Sequence, residues 1–281
     1  MFTLVTGTGY TGRRVLDLLP VDSVMGLSRS AIDTDRPVST FDLDSASMLP
    51  IELPARYAVI YTVPPKGDAP DERLRRFLSM LAPAPVRFIY ISTTGVYGDC
   101  GGETVTEATP VNPSNERAAR RVAAEALLAK WAGKNECELF ILRAPGIYGP
   151  GRLGLERIQA GMPVLAEDDA NPGNRIHVDD LARCCVAALS PGAPAGIYNV
   201  GDNDNRSSTW FTGEVARQSG LPAPPEISRE QANKEFSPQR LSFMTESRRV
   251  NTTKMRSVLG VMPRYANPED GIKASLRSSA L

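Results

Sequence analysis

A glycine-rich loop directly after the first apolar run constrains the fold of this chain more than any other feature. Residues 2–5 read as a buried strand, and the next seven, Thr6-Gly7-Thr8-Gly9-Tyr10-Thr11-Gly12, contain Gly-x-Gly-x-x-Gly at the start of a helical pattern. In such a loop the first glycine permits a tight turn, the second lets the backbone approach a pyrophosphate, and the third lets the helix pack on the strand. The helix N-terminus then favours the anionic ligand. The predicted cofactor-binding residues of this loop are Gly7, Thr8, Gly9, Tyr10, Thr11 and Gly12.

Short apolar runs go on alternating with helical patterns through the first half of the chain. Strands are predicted at 23–27, 38–41, 58–61, 87–91 and 138–142, and helices at 12–19, 71–81 and 114–131. Strands that alternate with helices in this way favour βαβ units and a parallel sheet. The predicted fold class is therefore α/β, a Rossmann doubly wound parallel sheet of six or seven strands.

The composition and the length of the predicted elements change after Pro150. Glycine and proline cluster at 149–151, 161–163 and 171–173, with shorter elements between them, which is typical of a looser lobe. We predict an NAD(P)-binding Rossmann domain over residues 1–150 and a smaller, mixed substrate-binding lobe over residues 151–281. A helical pattern at 178–189 and a strand at 196–200 indicate that residues from about 175 to 200 return to the first domain.

Charge and composition exclude several classes of function. Lysine plus arginine and aspartate plus glutamate number 32 each, so no global field draws the chain toward nucleic acid or an anionic membrane. His177 is the only histidine and the four cysteines show no Cys-x-x-Cys spacing, so we expect free thiols and no metal site. The first residues show no leader pattern, and no run of about 18 apolar residues occurs. A cytoplasmic protein is expected.

The end of the second predicted strand indicates which dinucleotide is preferred. A fold of this kind that binds NAD usually carries an acidic residue there, which binds the ribose 2′-hydroxyl. Here the chain reads Leu27-Ser28-Arg29-Ser30, so hydroxyls and a guanidinium are available for a 2′-phosphate and no carboxylate repels it. NADP is therefore the predicted cofactor, ahead of NAD, with Ser28, Arg29 and Ser30 as its ligands. The alternative is that Arg29 is a solvated loop residue.

Five further motifs follow the glycine loop in a fixed order. They are Asp42-Leu43, Ile-Ser-Thr-Thr-Gly-Val-Tyr-Gly at 91–98, Arg-Ala-Pro-Gly-Ile-Tyr-Gly-Pro-Gly at 143–151, Arg-Ile-His-Val-Asp-Asp at 175–180, and Tyr-Asn-Val at 198–200. Over roughly residues 1–201 this series resembles the extended short-chain dehydrogenase/reductase family, in particular its NAD(P)-dependent epimerase/dehydratase group. The resemblance implies a nicotinamide dinucleotide with Asp42 and Leu43 at its adenine. Thr62, after the fourth strand, is a further candidate for the cofactor site.

The resemblance also locates the catalytic positions. In that family a serine or threonine after the fifth strand works with a Tyr-x-x-x-Lys pair, whose members share one helix face. Thr93 matches the hydroxyl position, but the tyrosine and lysine positions fall on Arg117 and Arg121. An arginine stays protonated at any working pH and is a poor proton shuttle, as in atypical members of the family. The candidate catalytic residues are Thr93, Tyr97 and Arg121, the last as a cation at the ribose; alternatively, Arg117, Arg121 and Glu125 form an exposed charge cluster.

Residues beside the strand ends are candidates for the substrate side. Arg143 and Arg175 match positions that line the substrate in nucleotide-sugar enzymes and suit a phosphate or carboxylate, or else they form structural ion pairs. Tyr97 and Tyr148 lie in loops after strand ends, where each could supply a replacement phenol or serve in packing or substrate contact.

The residues from 177 to 185 have structural interpretations. His177 is expected to be a hydrogen-bonded structural residue, with Asp179 or Asp180 capping the next helix. The pair Cys184-Cys185 lies among apolar helix residues and is expected to be buried.

Three functional hypotheses follow. The first is an NADP-dependent oxidoreductase or epimerase/dehydratase-like enzyme that acts on a polar, nucleotide-linked or phosphorylated small molecule. The second is a non-catalytic NADP-binding sensor or scaffold protein, which the missing tyrosine and lysine would allow. The third keeps the fold but uses the glycine loop for another anion. A homodimer is expected by family analogy alone.

Overall fold

The computed structural model describes residues 1–67, 71–237, 241 and 246–278. Its strands are Phe2–Thr6 (β1), Val24–Ser28 (β2), Val38–Thr40 (β3), Tyr57–Tyr61 (β4), Arg87–Thr93 (β5), Thr104–Val105 (β6), Glu138–Ala144 (β7), Gly146–Tyr148 (β8), Val164–Leu165 (β9), Arg175–His177 (β10), Gly196–Asn199 (β11), Glu226–Ile227 (β12) and Arg249–Val250 (β13). Its α-helices are Tyr10–Leu18 (α1), Glu72–Ser79 (α2), Glu116–Lys134 (α3), Leu155–Gln159 (α4), Val178–Ala187 (α5), Ser208–Ser219 (α6), Arg229–Glu235 (α7), Thr253–Ser257 (α8) and Pro268–Ser278 (α9). Short 3₁₀ helices cover Val21–Ser23, Thr94–Tyr97 and Glu167–Asp169.

A seven-stranded parallel sheet forms the centre of the molecule. Its strand order is β11-β7-β5-β4-β1-β2-β3, and each neighbouring pair is parallel. The chain runs outward from β1 in one direction as far as β3 and then crosses back to β4, so the order reverses between β1 and β4. Ligands of doubly wound sheets bind at such a reversal, outside the carboxyl ends of the strands. The predicted Rossmann fold is confirmed.

Helices cover both faces of this sheet because its central strands are apolar on both sides. On one face α1 and α5 pack through Val15, Leu16, Leu181 and the pair Cys184-Cys185, all at most 1% exposed. On the other face α2 and α3 pack through residues that include Phe77, Ala124 and Leu128. The expected burial of the two cysteines is confirmed.

The C-terminal half both extends the sheet and builds a separate cluster. Strand β11 pairs with β7 at the sheet edge, and β10 pairs with β8. Helices α4, α6 and α9 pack around Tyr148 and Ile158 in a cluster of their own. Strand β13 pairs with β6, which ties the end of the chain to the segment after β5. The division at residue 150 stays a prediction.

Two further observations concern membrane-spanning helices and metal-ligating side chains. Within the described ranges, no helix has the length and apolar character needed to cross a bilayer. The same part of the chain contains no group of three or more metal-ligating side chains.

Candidate functional site

The glycine loop leaves the carboxyl end of β1 and enters α1 in a geometry that suits a phosphate. Gly7 has a φ of +91° and its missing Cβ would lie 2.6 Å from Val63 Cγ2, so a side chain fits neither the backbone nor the space. A Cβ on Gly12 would overlap the Gly7 carbonyl oxygen. At Gly9, by contrast, a Cβ would meet nothing within 4 Å, which leaves the backbone open to a ligand. These are the roles that dinucleotide-binding glycines have.

The N-terminus of α1 is also left without a protein cap. Gly9 is its N-cap residue and makes no side-chain hydrogen bond, and the first turn holds no acidic residue. The N–H groups of Gly7 and Thr8 instead donate to the Leu27 carbonyl oxygen at 3.0 and 3.2 Å. The first-turn N–H groups of α1 therefore remain for an anion.

A groove of about 600 Å³, the glycine-loop groove, runs from this loop along the strand ends. Its volume lies in the range of cofactor sites. Nearly all the cofactor residues predicted from the sequence line it: Gly7, Thr8, Gly9, Tyr10, Thr11, Ser28, Arg29, Ser30, Asp42, Leu43 and Thr62. Gly12 lies behind the loop. Thr62 acts on the loop itself, because its hydroxyl donates to the Gly7 carbonyl oxygen at 2.5 Å.

The lining of this groove is strongly cationic in a chain without net charge. It holds four arginines, Arg29, Arg73, Arg121 and Arg152, against one carboxylate, Asp42. Arg73 is neutralised by Asp44, to which its Nε and Nη2 each donate at 2.7 Å. Nothing in the local sequence marks Arg73 or Arg152, because each reaches the groove from an element distant in the chain. The excess of positive charge suits a ligand with several phosphates.

A second groove of about 470 Å³, the lobe groove, meets the first at Ile147, which lines both. It lies between the start of α3, residues 145–148 and residues 171–175. Its polar lining includes Thr93, Asn115, Arg117, Arg175, Glu246 and Arg248. Of these, the sequence alone pointed to Thr93, Arg117 and Arg175.

Thr93 stands at the carboxyl end of β5, beside the junction of the two grooves. Its hydroxyl accepts a hydrogen bond from the Gly95 N–H at 3.1 Å and caps the 3₁₀ helix Thr94–Tyr97. That contact uses a lone pair and leaves the hydroxyl proton to be donated. Thr93 is thus placed where a polar ligand group could accept a hydrogen bond.

The two arginines on α3 face different grooves. Arg117 lines the lobe groove, whereas Arg121, one turn later, lines the glycine-loop groove. Arg121 Nη1 donates to Tyr90 Oη at 3.0 Å and to the Ile91 carbonyl oxygen at 2.6 Å. These bonds fix the guanidinium on the groove floor. Glu125, one further turn on, is only 7% exposed, so the alternative of an exposed charge cluster is wrong for that residue.

Beneath the grooves lies a buried polar network. Arg143 donates through Nε and Nη2 to both oxygens of Glu125, at 3.2 and 2.7 Å, and through Nη1 to Tyr97 Oη at 3.0 Å. The Tyr97 hydroxyl in turn donates to Asn199 Oδ1 at 2.7 Å. Burial raises the pKa of Tyr97. Tyr97 and Arg143 line neither groove, so this geometry does not support their predicted catalytic and substrate roles.

Tyr148 and Arg175 do reach the lobe groove, but both are mostly buried. The Tyr148 ring packs edge-on against Phe211 at 5.2 Å, and its hydroxyl lies where a Cβ on Gly271 would overlap it. Burial raises the pKa of Tyr148, so it is a poor proton donor at neutral pH. Arg175 Nη1 forms an ion pair with Asp204 at 2.9 Å and is 6% exposed.

His177 lines neither groove and has a structural role. Its Nδ1 accepts from the Asp179 N–H at 3.2 Å and caps α5, so the histidine itself is the N-cap in place of Asp179 or Asp180. Its Nε2 lies 3.1 Å from Ser275 Oγ, and because that hydroxyl donates to the Gly271 carbonyl oxygen, Nε2–H is the donor. Burial lowers the pKa of His177. Asp180 instead accepts from the backbone N–H groups of Arg264 and Tyr265.

Comparisons with known sequences agree with this geometry. Residues 74–201 match the NAD dependent epimerase/dehydratase family. The chain is 28% identical over 199 residues to UDP-glucose 4-epimerase from Mycolicibacterium smegmatis, in an alignment that covers 66% of this chain and 60% of that protein. The chain thus spans less than two thirds of that relative's length.

Solved structures share the fold of this chain over its whole length. A functionally unknown conserved protein from Silicibacter pomeroyi superposes with a TM-score of 0.81, at 27% identity and with full coverage of both chains. Thermus thermophilus UDP-glucose 4-epimerase, solved as a complex with NAD, has a TM-score of 0.76 at 20% identity, covering 100% of this chain and 99% of the other; at that identity the likeness concerns the fold alone. Residues 74–201 thus resemble the NAD dependent epimerase/dehydratase family, and the whole chain has the fold of the solved epimerase.

Proposed function

We propose that the protein is an NADP-dependent oxidoreductase or epimerase/dehydratase-like enzyme whose substrate is a nucleotide sugar or a similar phosphorylated small molecule. Two of the three similar proteins named above are UDP-glucose 4-epimerases, one of them solved as a complex with NAD. A nicotinamide dinucleotide, when bound, would supply the hydride chemistry. The chain itself contributes binding, orientation and local charge.

The preference for NADP rests on one observation, the absence of an acidic residue at the end of β2. Ser28 is nearly buried there, and Arg29 is exposed at the groove wall. Arg29 has no carboxylate within ion-pair distance in the described part of the chain. Its guanidinium is therefore available to a 2′-phosphate through charge-assisted hydrogen bonds. Because an acid at this point would repel a 2′-phosphate, its absence favours NADP over NAD.

The substrate side of the proposal rests on the charge of the lobe groove. Arg117, Arg175 and Arg248 line it against the single carboxylate Glu246. Arg248 donates to Glu246 Oε2 at 2.7 Å and Arg175 is paired with Asp204, so these pairs fix both guanidinium groups and balance part of their charge, while their remaining N–H groups can still donate. A phosphate- or carboxylate-bearing substrate suits this lining.

A second candidate function, an NADP-binding sensor or scaffold, is favoured by the missing proton shuttle. Neither groove has a lysine in its described lining. The phenol of Tyr148 is buried, and burial raises the pKa of Tyr10 to about 12. With arginines at positions 117 and 121, only the Thr93 hydroxyl matches a catalytic group of the family.

Calorimetric titration of the purified chain with NADPH and with NADH tests the first part of the proposal. Tighter binding of NADPH supports the assignment of the groove; equal or tighter binding of NADH contradicts the NADP preference. If neither dinucleotide binds, the glycine loop serves another anion and the whole proposal is wrong. The same samples are then assayed with UDP-glucose and other nucleotide sugars, because turnover separates the enzyme from the sensor.

A further inference from the structure

A contact between Tyr10 and Arg152, which are far apart in the sequence, places a positive charge beside the glycine loop. Tyr10 is the first residue of α1, and Arg152 follows the Gly149-Pro150-Gly151 turn after β8. The Arg152 guanidinium carbon lies 3.9 Å from the centroid of the Tyr10 ring. This is a close cation–π arrangement. Both residues line the glycine-loop groove.

The backbone around Arg152 holds the side chain in this place. Gly149 and Gly151 have φ angles of +149° and +73°, which other residues rarely adopt. A Cβ on Gly149 would lie 2.6 Å from the Tyr10 hydroxyl and 2.8 Å from Val178 Cγ1, so this turn packs directly against the start of α1. The Arg152 N–H also donates to the Gly149 carbonyl oxygen at 2.9 Å. Arg152 is thus part of the groove wall and differs in this from an arginine on a free surface loop.

The charge of Arg152 has no ion-pair partner among the described residues. Its side chain is exposed, and no carboxylate of the described residues forms an ion pair with it. The nearby first turn of α1 holds no acidic residue and no side-chain cap. In the same wall the Thr8 hydroxyl, on a residue 2% exposed, lacks a hydrogen-bond partner among the described residues. A positive charge, an uncapped helix N-terminus and the open backbone at Gly9 therefore lie in one groove.

We propose that Arg152, held on the ring of Tyr10, is a dinucleotide-binding residue that contacts the pyrophosphate beside the glycine loop. The inference rests on the proposed function, because it requires that the groove bind a dinucleotide. It adds a specific residue from the second half of the chain to the cofactor site. The Tyr10 ring acts as a positioning platform, since it restricts the guanidinium before the ligand arrives.

The test is calorimetry on Arg152→Ala, with Arg157→Ala as the matched control on an exposed residue of α4 that lines neither groove. Arg152→Ala should weaken binding of NADPH and NADH to the same extent, about tenfold, because both carry the pyrophosphate. Adenosine 2′-monophosphate lacks the pyrophosphate and should bind the variant and the wild type equally. Arg152→Lys should give an intermediate loss, since a lysine keeps the charge but not the planar stacking.

A second pair of variants tests the platform. Tyr10→Phe keeps the ring under Arg152 and removes only a hydroxyl that has no partner in the described residues, so it should lose less dinucleotide affinity than Tyr10→Leu. Tyr10→Leu removes the ring and should cost nearly as much affinity as Arg152→Ala. The inference is overturned if the wild type binds a dinucleotide and Arg152→Ala binds it equally well, or if adenosine 2′-monophosphate is weakened to the same degree. If the wild type binds neither dinucleotide, the proposed function fails first and this inference with it.

Discussion

Glu125 and Arg143 form a bidentate ion pair directly beneath the two grooves, with side chains only 8% and 5% exposed. Ser92 donates to the same Glu125 carboxylate, and Tyr97 accepts from Arg143. The pair therefore joins α3 to β5 and β7, the elements that carry Thr93 and Arg121. The ion pair holds these elements together but lines neither groove.

The first prediction concerns this pair. Glu125→Gln leaves the Arg143 charge buried without its partner and should lower the free energy of unfolding by about 3 kcal/mol. Urea denaturation followed by circular dichroism measures it. The control is Glu116→Gln on the same helix, where the Glu116 side chain is 92% exposed and its removal should cost less than about 0.5 kcal/mol. Equal losses for the two variants would contradict the structural role of the pair.

The sequence was sufficient for the sheet and for most of the glycine-loop groove, and the reason is local. The turn at Gly7, the open face of Gly9 and the missing acid after β2 are all properties of short segments. The Tyr97–Arg143–Glu125 network joins residues up to 46 positions apart. The hydrophobic periodicity of the sequence does not show which of such distant residues pair. Tyr97 and Tyr148 followed strand ends as ligand-contact residues do, yet packing against Asn199 and Gly271 buried their hydroxyls.

A second prediction separates the two structural roles of the loop glycines. Gly12→Ala places a Cβ onto the Gly7 carbonyl oxygen and should destabilise the fold by about 2 kcal/mol or more. Gly9→Ala meets no protein atom within 4 Å, so it should cost less than about 1 kcal/mol while sharply weakening dinucleotide binding. Thermal unfolding measures the stability of the two variants, and calorimetry measures their affinity for NADPH. If Gly9→Ala binds NADPH as the wild type does, the phosphates do not approach the loop there.

A third prediction tests Arg29. Arg29→Ala should weaken NADPH by about tenfold, the value of one charge-assisted contact, and leave the affinity for NADH unchanged, because NADH lacks the 2′-phosphate. NADH is therefore the internal control in calorimetric titrations of a single variant. A parallel loss for both dinucleotides would mean that Arg29 acts elsewhere on the ligand, and no loss for either would return it to a solvated loop residue.

A fourth prediction follows from a buried carboxyl behind the lobe groove. Burial raises the pKa of Asp202 from 3.8 to about 7, and its Oδ2 has no hydrogen-bond partner within the described ranges. The folded state therefore binds a proton that the unfolded state releases between about pH 4 and pH 7, so the contribution of Asp202 to stability is lost as the pH rises through that window. Asp202→Asn should raise the free energy of unfolding at pH 8 by up to roughly 4 kcal/mol, and the gain should shrink toward pH 4.

The matched control for Asp202 is its neighbour Asp204. The Asp204 carboxylate pairs with Arg175 at 2.9 Å, so Asp204→Asn should destabilise the protein at pH 8. Urea denaturation at pH 5 and pH 8 distinguishes the two variants. A loss of stability in Asp202→Asn at pH 8 would show that Asp202 is ionised and paired in the folded protein.

The final prediction concerns the two arginines of α3, which line different grooves. Arg121 is fixed by Tyr90 and Ile91 on the floor of the glycine-loop groove, whereas Arg117 lines the lobe groove. Arg121→Ala should therefore weaken NADPH by about tenfold, and Arg117→Ala should leave the NADPH Kd unchanged while raising KM for any substrate found in the turnover screen. Arg120→Ala serves as the control, because Arg120 pairs only loosely with Glu116, at 3.6 Å, and lines neither groove.

The opposite pattern has an equally definite meaning for these arginines. If Arg117→Ala weakens NADPH and Arg121→Ala does not, the nicotinamide end of the cofactor extends into the lobe groove past Ile147, and the substrate must bind elsewhere. If both variants keep full dinucleotide affinity and no substrate is turned over, Arg117 and Arg121 bind neither the nicotinamide end of the cofactor nor a substrate. The sensor would then be the better account of the chain, because cofactor binding would depend on the glycine loop, Arg29 and Arg152 without any catalytic group.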